Sequence, residues 1–397
     1  TLGMGVGMAA GRLSRWTRYF TVASAGSLVV SQAIAVLGGS RPLVVAVAIF
    51  GFVCPMIFGM AYLLLPSYVG RTLADQRLPA VHFVLAYLGS GALVAGRALD
   101  RVALIREGVA LWSLGVAVFV GALAWTVVPA VLNRPEVALR SDEAPQRSTR
   151  LATAMIAVAL GYLVVGTGAL LGWAGLGPVS EFAFPAVVHY YAAGLGALLI
   201  FALGTRLVPG FFHVTPPRVG TWVALVPGAV APGLLGTFLW GGVIFRVGAA
   251  LQAVAMAGYA GVVVYVFRRS DWDRVGLVGI VLGAVAGVVA VGINLPAAFG
   301  YVATGQIRAH AATVITGFFA LTIVGYAVQF FAVTSGRFLG ASDRGVRVVV
   351  ATLAGGTVVR TGGLLASVDA VSRIGAGLAL FGAIGYTYLV GRRFAGG

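Results

Sequence analysis

Twelve long apolar runs constrain this chain more than any other feature of its sequence. A helix needs about 20 mainly apolar residues to cross the hydrocarbon core of a bilayer. Each run is about that long and is continuous, without the alternation typical of a membrane β-strand. The sequence therefore predicts an all-α polytopic transmembrane bundle of about 12 spans. With approximate ends, the predicted spans are 19–38, 43–66, 80–99, 108–132, 151–173, 185–208, 220–240, 247–267, 276–300, 308–333, 347–367 and 374–391.

The overall composition supports a membrane protein and excludes several other classes. Hydrophobic residues make up 60% of the chain and charged residues only 10%, whereas a soluble domain carries about 25% charged residues. An ordinary soluble enzyme and a disordered chain are therefore excluded. The single cysteine, Cys54, also excludes a disulfide scaffold.

The charges fall mainly between the predicted spans. The net charge is +16, and all 27 basic residues are arginine. Arginines in short gaps between apolar runs face lipid headgroups and set topology, so we expect the lipid bilayer, and not nucleic acid, as the partner. Most arginines lie on one side if the N-terminus is cytoplasmic. This predicts an integral inner (cytoplasmic) membrane protein with both termini cytoplasmic.

One long loop interrupts the series of spans. The segment at about 133–150 has charges of both signs and two prolines, which is typical of a solvated connector. No soluble domain flanks it, so we expect a single integral membrane domain over 1–397 with a cytoplasmic connector at about 133–150.

Glycine pairs suggest an internal repeat. Spans 2, 6 and 10 each carry two glycines eight residues apart, and residues at that spacing lie close to one helix face. Because these spans are four apart in order, they indicate a pseudo-threefold 4+4+4 arrangement. Chance is the alternative, since the chain contains 58 glycines. The pairs are Gly51 and Gly59, Gly196 and Gly204, and Gly317 and Gly325.

Two of the four histidines are candidate metal ligands. His189 and His310 each precede the first glycine of a pair by seven residues, near the predicted outer ends of spans 6 and 10. Histidine within a membrane span is costly and is usually functional, so we expect the two to reach one shared site. Hydrogen bonding to a neighbouring helix or a headgroup position is the alternative. His82 is expected at the membrane interface, and His213 in a loop.

Two further residues are candidate cofactor-binding residues. Tyr190 follows His189 directly and is a candidate wall of a cofactor pocket. Met56 lies in span 2, and methionine thioether is a known axial haem ligand. Ordinary core packing is the alternative for both. Acidic residues are nearly missing from the spans, and proton pumps place ionisable groups at that depth, so proton pumping is not expected.

Segments in spans 2, 6 and 10 resemble known families. Span 2 ends Leu64-Leu65-Pro66-Ser67-Tyr68-Val69-Gly70, followed by Asp75 and Pro79. This resembles the haem–copper oxidase catalytic subunit, whose second helix ends Leu-x-Pro-x-x-x-Gly before an Asp and a Pro. The run Ala309-His310-Ala311-Ala312 is similar to that family's Ala-His-x-His pair. Span 6, with His189 and then Gly204-Thr205-Arg206-Leu207-Val208-Pro209-Gly210, is similar to the NnrS-like membrane proteins.

The oxidase resemblance implies twelve helices, an outward-side haem site, His310 at the high-spin haem ligand position and His189 at the first copper-ligand position. The chain also departs from that pattern. Span 2 lacks a haem histidine, Ala312 stands in place of the second histidine of span 10, and span 7 has no histidine. A three-histidine copper site is therefore not expected, and neither is a proton-pumping oxygen reductase. With these departures, the cofactor that the resemblance still implies is one haem, held by His310 alone or between His310 and His189.

The sequence favours a degenerate oxidase-like protein with a redox or nitric-oxide-related role, and leaves its enzymatic activity open. A redox partner or other membrane subunits are the expected protein partners. Two alternatives remain. One is a cofactor-free structural or assembly subunit. The other is a secondary transporter of a small solute, for which Pro55, Asn294 and Pro296 are candidate helix breaks.

Overall fold

The computed structural model describes residues 15–133, 147–178, 182–270 and 275–395. These residues form helices and turns, with no strand among them. Within these ranges, twelve helices are long and apolar enough to cross a membrane, which confirms the predicted fold class. Most of the connector predicted at about 133–150 lies outside the described residues.

The connections that the structure describes between helices are short, so the helices that they join run antiparallel. The first six are α1 (Arg15–Val36), α2 (Arg41–Tyr68), α3 (Leu78–Ala98), α4 (Val102–Asn133), α5 (Arg147–Trp173) and α6 (Phe184–His189, continuing through Tyr190–Ala197 and Leu198–Phe212). The last six are α7 (Arg218–Thr237), α8 (Gly242–Arg269), α9 (Val275–Ala298), α10 (Gln306–Phe331), α11 (Asp343–Leu365) and α12 (Asp369–Ala395).

Every fourth helix lies at the centre of the bundle. The apolar segments of α2, α6 and α10 are 89, 67 and 72% buried, against 33 to 50% for the other nine. The same three helices contain π-helical segments, at Val47–Val53, Tyr190–Ala197 and Thr313–Ala320. A π-helical segment this long is rare, so its recurrence in every fourth helix shows the 4+4+4 arrangement directly.

Glycine lets the central helices approach their neighbours closely. A Cβ at Gly325 would lie 2.6 Å from the carbonyl oxygen of Gly276, on α9. A Cβ at Gly59 would lie 2.7 Å from the Cβ of Phe20, on α1. Small residues at such contacts drive helix packing in lipid, where no hydrophobic effect brings helices together.

Three compartments surround the central helices, each closed by peripheral helices. The compartment between α2 and α6 is filled by rings, including Phe58, Trp112 and Phe119. The compartment between α10 and α2 holds a polar cluster, in which Gln32 bonds to Thr316 and accepts from Arg360. The compartment between α6 and α10 contains a large cavity.

Candidate functional site: the histidine cavity

The histidine cavity has a volume of about 500 Å³ and lies between α6 and α10, where both helices begin. Helices α7, α8 and α9 close its outer side, and the start of α2 closes the inner side. His189 and His310 both line it. The structure thus places the two candidate ligands around one space.

The backbone fixes the orientation of the His310 ring. His310 lies in the second turn of α10, and its Nδ1 is 2.8 Å from the carbonyl oxygen of Ala290 on α9. A carbonyl oxygen only accepts hydrogen bonds, so Nδ1 carries the proton and donates it. The lone pair of the neutral ring is therefore on Nε2, the nitrogen that a metal ion binds.

His189 has the same arrangement on the facing helix. Its Nδ1 donates to the carbonyl oxygen of Pro185, one turn earlier in α6, at 2.7 Å. Metal-ligating histidines usually donate their other ring N–H to a carbonyl or carboxylate, which sets tautomer and ring orientation. Both histidines of the cavity meet this condition.

Two arginines line the cavity near its mouth. Arg41 is the first residue of α2, and Arg97 lies in the last turn of α3. The guanidinium carbon of Arg97 is 4.3 Å from the centre of the Phe184 ring, a cation–π contact that holds it in place. None of the described lining residues is acidic, so the mouth carries positive charge.

The walls and floor of the cavity are mainly apolar. At the floor, Met256 of α8 and Phe318 of α10 pack against Gly287 of α9. Two amides interrupt this apolar lining, Gln252 on α8 and Asn294 on α9. Their side-chain oxygens are buried and have no hydrogen-bond partner among the described residues.

Sequence reasoning missed three of these polar lining residues, Arg41, Arg97 and Gln252. Both arginines lie in or next to predicted loops, and hydropathy alone does not show which way a side chain near a loop turns. The sequence does indicate Gln252 as a candidate site residue, because it is an amide within the apolar run predicted at 247–267.

The structure does not bring Tyr190 or Met56 to the histidines. The Tyr190 hydroxyl bonds to Thr237 at 2.7 Å, and its ring packs on Gly236, away from the cavity. Met56 lines a second cavity of about 90 Å³, enclosed by α2, α5, α6 and α10 and separated from the first by Phe319.

The remaining histidines lie elsewhere. His82 was expected at the interface but is fully buried, with Nδ1 3.1 Å from the Tyr62 hydroxyl. It is surrounded by the rings of Phe58 and Phe119, which explains its burial. His213 is exposed at the end of α6. The described residues contain no group of three or more His, Cys, Asp or Glu side chains that could hold a metal ion.

Comparisons with known proteins support the architecture. No family model matches the sequence, and no curated protein matches it. The structure is similar to a chain in a cryo-EM structure of a haem–copper terminal oxidase dimer, with a TM-score of 0.55 and 11% sequence identity. The match covers 96% of this chain and 84% of that chain. This protein is therefore an integral membrane protein with a haem–copper-oxidase-like fold.

Proposed function

We propose that the protein binds a single haem in the histidine cavity, that His310 would hold its iron, and that the protein has a redox or nitric-oxide-related role. One observation carries this proposal: His310 and His189 line the same cavity, and a backbone carbonyl binds Nδ1 of each ring. The similarity in fold to a haem–copper oxidase chain supports it.

The residues of the cavity fit a haem. Haem iron needs only one protein ligand, and histidine is a common one. The volume of about 500 Å³ is in the range of cofactor pockets, and the lining is mainly apolar. A metal ion without a porphyrin would need more ligands, and the described residues do not group three of them.

The arginines fit the charged edge of a haem. Its two propionates lie on one edge of the ring and are ionised at neutral pH. Arg41 and Arg97 line the mouth of the cavity, and arginine pairs well with carboxylates. They would orient the ring so that its carboxylates face the mouth and its apolar edge faces the floor.

The proposal gives the residues around the cavity separate roles. His310 would bind the iron, and the Ala290 carbonyl holds its ring in place. His189 lies on the facing helix, where it would bind the iron or a ligand on it. The apolar walls exclude water. When bound, haem iron supplies one-electron transfer and a position for a diatomic ligand.

An optical experiment tests the proposal. The purified protein, from a haem-replete host or after haem addition, is scanned oxidised and dithionite-reduced, and haem is quantified per chain. We expect a Soret band at one haem per chain. The His310→Ala variant should lose it, and the matched His213→Asn variant, changed outside the cavity, should keep it. A folded wild-type protein that takes up no haem would overturn the proposal and favour a cofactor-free subunit or a transporter.

A further inference from the structure

The two imidazole rings of the histidine cavity offer it lone pairs and not N–H groups. Nδ1 of His189 donates to the carbonyl oxygen of Pro185, and Nδ1 of His310 donates to that of Ala290. A neutral imidazole carries one N–H, so Nε2 of each ring is an acceptor. The reverse tautomer would lose its bond to the main chain, because a carbonyl oxygen cannot donate.

Nε2 of His189 is free to bind whatever the cavity holds. The ring lines the cavity, and its hydrogen bond within the described part of the chain is made by Nδ1 alone. If His310 holds the iron, this lone pair on the facing helix is left for a ligand on the other side of the haem.

The depths of the two histidines favour this arrangement. His189 is five residues from the start of α6, and His310 is four residues from the start of α10. Both helices begin at the mouth of the cavity, and one residue of helix rises about 1.5 Å. The two rings therefore lie at similar depth, so a ligand on an iron bound by His310 lies next to His189.

The other polar groups near this depth also offer an acceptor. Asn294 lines the cavity one turn after Ala290, whose carbonyl contacts His310. Its Oδ1 is buried and has no hydrogen-bond partner among the described residues. Arg41 and Arg97 are donors, but they lie at the mouth, where the haem carboxylates would engage them.

We propose that the iron in this cavity takes protic ligands, molecules with N–H or O–H groups such as hydroxylamine, an amine or water, in preference to diatomic gases. A protic ligand donates to Nε2 of His189. O2, NO and CO have no hydrogen to donate, and the lone pair repels those on their outer atoms. Polarity and hydrogen bonding beside haem iron decide which ligand is favoured. This inference rests on the proposed function and narrows it to a redox role on a protic substrate.

Ligand titrations of the haem-loaded ferric protein test the preference. Methylamine is the protic probe, and fluoride is an iron ligand that only accepts hydrogen bonds. Each Kd is compared between wild type and His189→Leu, which keeps a similar side-chain size without ring nitrogens. We expect methylamine to bind wild type about tenfold more tightly than His189→Leu, and fluoride to bind wild type no more tightly.

Two further variants localise the effect. His189→Gln brings an amide N–H to the same place, so fluoride should bind it more tightly than it binds His189→Leu. His213→Asn changes an exposed histidine at the other end of the same helix, and it should match wild type with both probes.

The infrared stretch of CO on the ferrous protein reports the same lone pair without an affinity measurement. A lone pair that faces bound CO raises its stretching frequency, and a hydrogen-bond donor lowers it. We expect the wild-type frequency to lie above that of His189→Leu, and the frequency of His189→Gln to lie below it.

The outcomes separate the two proposals. If no haem binds, the proposed function fails and this inference fails with it. If EPR shows both histidines on the iron of wild type, or if methylamine binds wild type and His189→Leu equally, haem binding stands and the preference is overturned. Should His189→Leu not fold, the reference is the CO complex of imidazole-bound haem in hydrocarbon solvent. A higher wild-type CO frequency then supports the preference, and an equal or lower one overturns it.

Discussion

The carbonyl oxygens of Pro185 and Ala290 determine the chemistry of the two imidazoles in the cavity. Each accepts the Nδ1 proton, so each ring keeps its lone pair on Nε2 and is held against rotation. No acidic side chain in the described part of the chain takes part in either contact. The ligands are thus prepared by main-chain atoms, which explains how a membrane-buried site can form with so few charged residues.

Replacing His310 with glycine should make haem binding dependent on added imidazole. The substitution removes the ligand and leaves a space that free imidazole fills. We expect the Soret band to be lost in His310→Gly and to return with millimolar imidazole. His189→Gly should retain haem at wild-type stoichiometry with a changed spin state. Haem loss in His189→Gly alone, measured by optical titration, would show that the ligand has been assigned to the wrong helix.

Arg41 and Arg97 at the mouth of the cavity should strengthen the binding only of a haem with free carboxylates. Changing both Arg41 and Arg97 to Gln removes two charge-assisted hydrogen bonds, each contributing about 1.5–3 kcal/mol. Together they contribute about 3–6 kcal/mol, so we expect haem to bind at least about a hundredfold more weakly, and the haem dimethyl ester to bind as it does to wild type. Arg101→Gln, a change at an exposed arginine of the same end, serves as the control. Equal weakening for the ester would contradict an electrostatic role.

Gln252→Met should stabilise the ligand-free protein. The substitution removes a buried amide oxygen that has no hydrogen-bond partner among the described residues, and the desolvation of such an atom costs about 1–3 kcal/mol. We expect the free energy of unfolding of the haem-free protein in detergent to rise by about 1 kcal/mol, seen as a higher Tm. A lower Tm would mean that the amide is already satisfied without a ligand.

At the scale of helices, close glycine contacts set the positions of the central elements. Gly325 of α10 has no room for a side chain, because a Cβ there would lie 2.6 Å from the backbone of α9. Gly292 on α9 is the opposite case, with nothing within 4 Å of a Cβ. The same residue type therefore has a structural role at one position and none at the other.

Adding a side chain at Gly325 should unfold the bundle locally. We expect Gly325→Leu to cost about 3 kcal/mol or more, because α9 must move away from α10. Gly292→Leu should be neutral. Thermal stability and fluorescence-detected gel filtration of both variants check this. Wild-type behaviour of Gly325→Leu would mean that the helix contact is looser than the distances indicate.

The helices themselves were largely predictable, and the π-helical segments were not. The run predicted at 80–99 corresponds to α3 at Leu78–Ala98, because the length of an apolar run determines a span. Hydropathy is the same for α- and π-helical residues, so nothing in Thr313–Ala320 signals the change. Hydropathy also does not show which side of a helix faces a cavity. Tyr190 is next to His189 in sequence but lies about 100° away around the helix, and so it does not line the histidine cavity.

At the scale of the whole molecule, three similar compartments have different contents. Aromatic rings fill one, and the cluster of Gln32, Thr316 and Arg360 occupies another. The third contains the histidine cavity. The fold is similar to that of a haem–copper oxidase chain at 11% identity, so this arrangement of helices does not depend on one particular set of side chains.

Haem stoichiometry should reflect this difference between compartments. We expect one haem per chain and not two, because the polar cluster takes the space between α10 and α2. Pyridine haemochrome analysis against protein mass measures it. In Arg360→Ala, which weakens that cluster, the value should remain one, because opening space does not create an axial ligand. A value of two in wild type would contradict the single-site proposal.

The π-helical segments also mark equivalent positions in the three units of the chain. A π turn holds one residue more than an α turn, so it corresponds to a one-residue insertion into an ordinary helix. The π-helical segment recurs in every fourth helix, and each copy contains the first glycine of the pair in that helix. The π-helical segment therefore marks an equivalent position in each of the three four-helix units. Comparisons between the three units of the chain should therefore be anchored on these segments and not on overall identity.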